Sequence, residues 1–186
     1  MPRKGEGKMK KIVAMMALWM LGVVLPVYAA DLKVGDQATG FNLKDPTGKE
    51  YSLESPLYKS KVVVVFYADP GSKDLNNDLQ NALKGARESG KIDKKNYEGL
   101  GIVNLKDSMV PNWLLRSMIK SKQEETKAVI LTDPSYIVLN AWGLTKSTSN
   151  IILLDKQRVC RYIQKGKVPQ ADIARVISLI QEYQVK

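Results

Sequence analysis

Histidine is absent from this 186-residue chain, and cysteine occurs once, as Cys160. Without histidine there is no Ser-His-Asp triad, and the usual zinc and iron ligand sets are excluded. With one cysteine no intramolecular disulfide can form, and no cysteine follows the N-terminal leader to receive a lipid. Also missing are a G-x-S-x-G nucleophile turn, a run of five or six like charges, internal repeats and low-complexity segments. A hydrolase or transferase working through serine and carboxylates therefore lacks its usual partners.

What is present begins with a leader. Arg3, Lys4, Lys8, Lys10 and Lys11 form a basic start, and Ile12 to Leu25 is a 14-residue apolar run interrupted by Gly22. Pro26 breaks the helix, and Val27-Tyr28-Ala29 places small residues at the −3 and −1 positions of a cleavage site. This is the pattern of a secretory signal peptide over residues 1–29. The run falls short of the roughly 20 residues that span a bilayer, which sets it against the alternative of an uncleaved anchor. Met9-Lys10-Lys11 would itself make a compact start. The sequence predicts an exported, periplasmic protein with no stable membrane span after cleavage, and a single domain over 30–186.

The formal charge is +10; removing the leader's five positive residues and Glu6 leaves +6. A mildly basic surface fits an ordinary solvated exterior, an anionic membrane or an acidic partner. Nucleic acid is excluded as a partner because an exported protein would not meet it.

Along the mature chain, Gly40–Leu43 and Tyr51–Leu53 flank Asp45-Pro46-Thr47-Gly48, predicting an N-terminal β-hairpin. Val62 to Phe66 is apolar on both faces, as a central strand requires. Leu75, Leu79, Ala82, Leu83 and Ala86 predict an amphipathic helix ending near Gly90. Gly101 to Asn104 is a strand, and Pro111 opens a helix lined by Trp113, Leu114, Met118 and Leu115. Ala128 to Leu131 is a strand, Ile137 to Trp142 a short helix or turn, and 151–154 with 159–163 a second hairpin. Pro169 opens a last helix with Ile173, Val176, Ile177 and Ile180 on one face. Strands separated by helices pair in parallel, and the closing hairpin adds an antiparallel edge. The fold class is α/β, three layers, with a central mixed sheet flanked by helices.

This order resembles the thioredoxin-like fold of the redoxin type. Leu43 to Leu53 is similar to an "L-x-D-x-x-G-K" hairpin and Val62 to Asp69 to a "V-V-V-F-Y/W-A" strand. LTDPSYIVLNAWGL resembles a "D-P-x-x-x-x-x-x-Y-G-V" segment, and IILLDKQRV an "F-L-I-D-x-x-G-x-V" hairpin. The leader, the "A-W-x-L" step at Ala141 to Leu144, the strand end at Leu153 to Lys156 and the cysteine-free loop are similar to the YtfJ family of exported bacterial proteins. The resemblance implies a periplasmic thioredoxin-like protein without an established activity. The resembling oxidoreductases carry Cys-x-x-Cys at the places that here hold Gly71 and Asp74. They carry a cis-proline where Ser149 stands, so a trans loop of altered shape is expected at 147–150. No Thr-x-x-Cys of peroxiredoxin type stands near the loop.

These departures predict a redox-inactive module that binds an envelope protein or a small ligand, with no catalytic residue and no cofactor. The candidate binding residues are Asp69, Gly71, Ser72, Asp74, Ser149 and Asn150, because loops at the carboxyl ends of parallel strands are where such folds bind. The competing account of Asp69 and Ser72 is helix capping, with Asp74 near the helix's positive end. Cys160 reads as a small buried hydrophobe in a strand; an exposed reactive thiol, used in an oxidoreductase or peroxidase-related enzyme, is the alternative. Asp74, Asn77 and Asp78 share a helix face but lack EF-hand spacing, and no metal site is assigned. Trp113, Trp142 and Tyr136 read as core. Lys91, Lys94 and Lys95 follow a helix end, where cations are favoured.

Overall fold

The valine run at 62–65 sets the centre of the fold, since a strand apolar on both faces must be covered on both. A computed structural model describes residues 31–186 apart from Asp107; the expected leader, residues 1–29, lies outside the described residues. Strands β1 (Leu43–Lys44), β2 (Glu50–Tyr51), β3 (Val62–Ala68), β4 (Tyr97–Asn104), β5 (Ile130–Asp133), β6 (Ser149–Leu154) and β7 (Cys160–Lys165) form one sheet in the order β2-β1-β5-β4-β3-β6-β7. The pairs β3–β4 and β4–β5 are parallel, and β6 and β7 add antiparallel strands on the other side of β3. Helices α1 (Asn77–Glu88), α2 (Asn112–Thr126), α3 (Ile137–Ala141) and α4 (Gln170–Val185) complete the α/β architecture.

Successive strand side chains point to opposite faces, so β3 feeds two cores. Val63, Val65 and Tyr67 join Leu100, Leu131 and Ile152 beneath Phe41, Tyr58 and Trp142 from the 31–61 segment and the α3 region. Val62 and Val64 join Ile151 and Leu153 against Leu79, Leu83 and Ala86 of α1 and Ile173, Val176 and Ile180 of α4. A smaller cluster seats Leu115 and Ile119 of α2 on Leu105, Val103 and Ile130. Each fully buried aliphatic side chain stabilises the fold by about 1.5–3 kcal/mol.

The first hairpin, the central strand and the last helix form where the sequence predicts them. Asp45 organises the hairpin tip, its Oδ1 accepting hydrogen bonds from the Thr47 and Lys49 backbone N–H groups and the Thr47 hydroxyl at 2.6–3.1 Å.

The second helix differs from expectation. Trp113, Leu114 and Met118 do not line the core: they are exposed by 72%, 38% and 57%, while Leu115 and Ile119 are buried. At about 100° per residue Trp113 sits some 160° round the helix from Leu115. The apolar residues cover two faces, and the sheet takes only the 115/119 stripe. Leu75 is likewise exposed, because α1 begins only at Asn77. Trp142 and Tyr136 are buried as expected, the Trp142 ring edge-on to Phe41 and its Nε1–H donating to the Thr39 carbonyl at 2.9 Å.

Candidate functional site

Two loops meet at the carboxyl end of β3. Ala68 pairs with Ser149 and Tyr67 with Asn150, which lays the 69–74 loop beside residues 147–150 as the sequence predicts. The Asp69 N–H donates to the Thr148 carbonyl at 3.2 Å, and the Ser72 hydroxyl donates to the Ser147 carbonyl at 3.4 Å. The described peptide bonds are all trans, and Ser147 takes a left-handed backbone with φ 56°.

The capping account of this loop does not hold. Pro70–Ser72 forms one 3-10 turn, and neither it nor α1 receives a side-chain cap. Asp69 is turned inward instead, 8% exposed, with Oδ1 accepting from Asn104 Nδ2 at 2.6 Å. Its Oδ2 is buried and has no hydrogen-bond partner among the described residues. An unpartnered buried acceptor costs about 1–3 kcal/mol, more when it is charged. Gly71 and Asp74 precede α1, which begins at Asn77, and the Asn77 N–H donates to the Asp74 carbonyl at 3.2 Å.

Of the six sequence-predicted residues, Gly71 and Asp74 are exposed, Ser72 is half-buried, and Asp69, Ser149 and Asn150 are buried. Gly71, Ser72 and Asp74 line the outer loop, and Asp74 pairs with Lys73. The Lys73 hydrogen bond is the largest cause that holds the Asp74 carboxyl below its ordinary range. Ser149 and Asn150 are buried. Ser149 Oγ accepts from Asn76 Nδ2 at 3.0 Å, and Asn150 is held by both the N–H and the carbonyl of Thr145. Both side chains are hydrogen-bonded within the loop and hold its shape from inside.

Asn104, Asp133 and Tyr67, not singled out from sequence, close the inner wall beside Asp69 together with Tyr136, which the sequence reads as core. Tyr67 donates to Asp133 Oδ2 at 3.2 Å, and burial followed by the Asp133 charge pushes its phenol well above the ordinary value. Asp133 also accepts the backbone N–H groups of Ser135, Ile137 and Val138, which starts α3. Lys106 and Lys146 both place their ammonium groups over the Tyr136 ring, at 4.7 and 4.3 Å from its centre. Polar residues ending three adjacent strands (Asp69, Asn104, Asp133) are the signal that points to this wall.

Cys160 lies elsewhere, at the start of β7, fully buried. Burial is the main cause that raises its thiol to about 11, and the S–H donates to the Tyr162 carbonyl at 3.5 Å. No group of three or more metal-ligating side chains occurs among the described residues. The Asp78 carboxylate instead pairs with Lys167 at 3.5 Å.

The family pattern described as "Bacterial protein of unknown function (YtfJ_HI0045)" matches residues 44–183. An uncharacterised Haemophilus influenzae protein is 29% identical over 139 residues, 74% of this chain and 73% of its own. The uncharacterised protein YtfJ of Escherichia coli is 26% identical over 136 residues, 72% of each chain. Among solved structures, a putative protein disulfide isomerase from Bacteroides thetaiotaomicron superposes with a TM-score of 0.61 at 17% identity, covering 83% of this chain and 92% of that one. A pneumococcal exposed lipoprotein thioredoxin superposes at 0.57 with 20% identity, covering 76% and 99%. The fold is thioredoxin-like.

Proposed function

The chain belongs to the YtfJ_HI0045 family of bacterial proteins of unknown function, and from that premise we propose an exported, redox-inactive thioredoxin-like protein of the cell envelope that binds a protein segment or small ligand at the 69–74 loop. The observation that carries the binding reading is the Asp69 carboxylate, buried at the end of β3 with one oxygen unpartnered, beside the exposed Gly71 and Asp74 and the half-buried Ser72. An amide N–H or ammonium group entering there would supply the missing donor, and Asp74 adds negative charge at the rim. The redox-inactive reading is supported by the absence of any cysteine in the loop and by the burial of Cys160. Export is supported by the basic, apolar and small-residue succession of the leader.

A second reading, a thiol oxidoreductase using Cys160, draws on solved neighbours described as thiol-disulfide oxidoreductases. A fully buried thiol with a raised pKa argues against it, because the thiolate is the nucleophile. Insulin-reduction and peroxide-consumption assays separate the two, and turnover above that of Cys160→Ala would favour the second. For binding, a partner captured by crosslinking is compared between wild type, Asp69→Ala, Asp74→Ala and the exposed control Lys94→Ala. Weakening in the first two alone supports the site, and equal affinities would remove it from this loop.

A further inference from the structure

Two cations from separate loops converge on one buried ring at the carboxyl end of the parallel strands. Lys106 follows β4 and Lys146 precedes β6, and both are exposed. Their ammonium groups stand 4.7 and 4.3 Å from the centre of the Tyr136 ring, so they lie within about 9 Å of each other, the sum of those distances. Neither forms an ion pair with a carboxylate of the described residues. The ring attracts each cation while the cations repel one another, and an anion placed between them would be drawn by both. Tyr136 and Ser147 both take left-handed backbones, with φ 58° and 56°. Non-glycine residues held in that region cluster where ligands are clamped.

The acids nearby are occupied, with one exception. Asp74 pairs with Lys73, and Asp133 accepts from the Tyr67 hydroxyl and three backbone N–H groups. Asp107, next to Lys106 in the chain, lies outside the described residues. The exception is Asp69, whose buried Oδ2 has no partner. The Asn104 amide joins this carboxylate to the lysine loop. Its Nδ2 donates to Asp69 Oδ1 at 2.6 Å, and its Oδ1 accepts from the Lys106 backbone N–H at 3.0 Å. The Asp69 N–H donates in turn to the carbonyl of Thr148, two residues beyond Lys146. An unpartnered acceptor and a pair of cations therefore sit on adjoining loops.

That combination selects among ligands. A phosphate or sulfate would satisfy the lysines, but it brings no nitrogen donor to Asp69 and sets an anion beside it. A simple amine would satisfy Asp69 and face two ammonium groups. A carboxylate with an N–H on the adjoining carbon supplies both halves, as in a free α-amino acid or the last residue of a peptide. The Pro70–Ser72 turn that follows Asp69 buries no residue and reaches the neighbouring loop through the Ser72 hydroxyl at 3.4 Å, a weak restraint on movement there.

We propose that Asp69, Lys106 and Lys146 bind the carboxylate and adjoining N–H shared by α-amino acids and peptide C-termini, the carboxylate between the two ammonium groups and the N–H on Asp69 Oδ2. The assignment rests on the binding reading of the 69–74 loop and names its ligand class. The test titrates isotope-labelled protein with L-alanine, N-acetyl-alanylalanine, the C-terminal amide of that peptide and inorganic phosphate, and follows the backbone amide resonances. Alanine, the peptide acid or both should shift the 69–74 loop, Lys106 and Lys146, and which of them binds identifies the source. The peptide amide and phosphate should bind at least about tenfold more weakly. The double variant Lys106→Ala/Lys146→Ala should lose about tenfold in affinity, with an unchanged urea midpoint because both side chains are exposed. Asp69→Asn, which removes the charge, should weaken binding as well, and Lys94→Ala should not. Equal affinity for acid and amide, binding that survives the double variant, or no binding of either carboxylate overturns the proposal. So does phosphate binding as tight as the acid's, which marks an anion site without its Asp69 half. A crosslinked partner that still depends on Asp69 when these probes fail would overturn the ligand class and leave the loop as a binding site. Independence of Asp69 in both experiments removes the site itself.

Discussion

At the scale of the residue, identity and neighbourhood part company where a side chain's partners are distant in sequence. Arg158 sits in the 155–159 turn, where arginine reads as solvated, yet it is 5% exposed. Its guanidinium donates to the carbonyls of Leu53, Tyr58 and Lys61 at 2.6–3.0 Å and lies 3.5 Å from Glu54. Those carbonyls belong to a loop roughly a hundred positions away, so no local pattern announces the contact. Arg158→Ala would leave them without this donor. The expected cost is about 3 kcal/mol, read as a lower urea midpoint with an unchanged m-value, and Arg158→Lys should recover only part because it lacks the planar fork. Cys160 was legible, since a lone cysteine in a strand is usually buried. With its thiol raised to about 11, about a thousandth is thiolate at pH 8, and access is closed as well. Native protein should be inert to Ellman's reagent, and the same sample in urea should titrate one thiol. Rapid reaction of the native protein would reopen the oxidoreductase reading.

Elements were legible in proportion to the regularity of their burial. The strand at 62–68 is buried on both faces and the helix at 170–185 on one, and both announce themselves by period. The helix at 112–126 misled because apolar residues at 113, 114, 115, 118 and 119 satisfy more than one face, and only the sheet decides between them. The 69–74 loop misled in the opposite way: Asp and Ser before a helix read as caps, but Asn104 offers Asp69 a bond that no local spacing reveals. The hairpin at 43–51 was legible through its turn residues, and it carries a pH signature. Burial raises the Asp45 carboxyl, but hydrogen bonds from Thr47, Gln123 and Lys49 outweigh it, leaving the pKa below the ordinary 3.8. A carboxylate whose folded pKa is depressed contributes stability that is complete above the unfolded value and is lost as pH falls through the folded one. Below about pH 4 the tip should therefore loosen. The difference in urea midpoint between pH 7 and pH 2.5 should be smaller in Asp45→Asn, which retains an acceptor but cannot titrate. An identical acid response in the two proteins would locate the sensitivity elsewhere.

For the whole molecule, the segment at 31–38 is a structural strap that precedes the first hairpin. Leu32 N–H donates to the Trp142 carbonyl, Gly35 N–H to Cys160, and Ala38 N–H to Arg158, at 2.8–3.1 Å, while the Cys160 N–H returns a bond to Asp36. Gln37 and Val159 form a bridge, so the strap covers the outer edge of β7 at its start. Gly143 makes room for it: with φ +58°, a Cβ at that position would stand 2.0 Å from Asp31 Oδ1 and 2.8 Å from its Cα. The leader ends at Ala29 on the sequence pattern, so cleavage there leaves every one of these contacts in place. Mass spectrometry of protein from the expressing cell is expected to find an N-terminus at Ala30 or Asp31. A full-length chain extractable only with detergent would instead favour the uncleaved anchor. The strap itself is tested by starting the chain at Gly40. That protein should lose urea stability and react at Cys160 with Ellman's reagent, because the strap's bonds to Arg158 and Cys160 are gone. Gly143→Ala, which displaces Asp31 by a steric clash, should move both readouts in the same direction and by less.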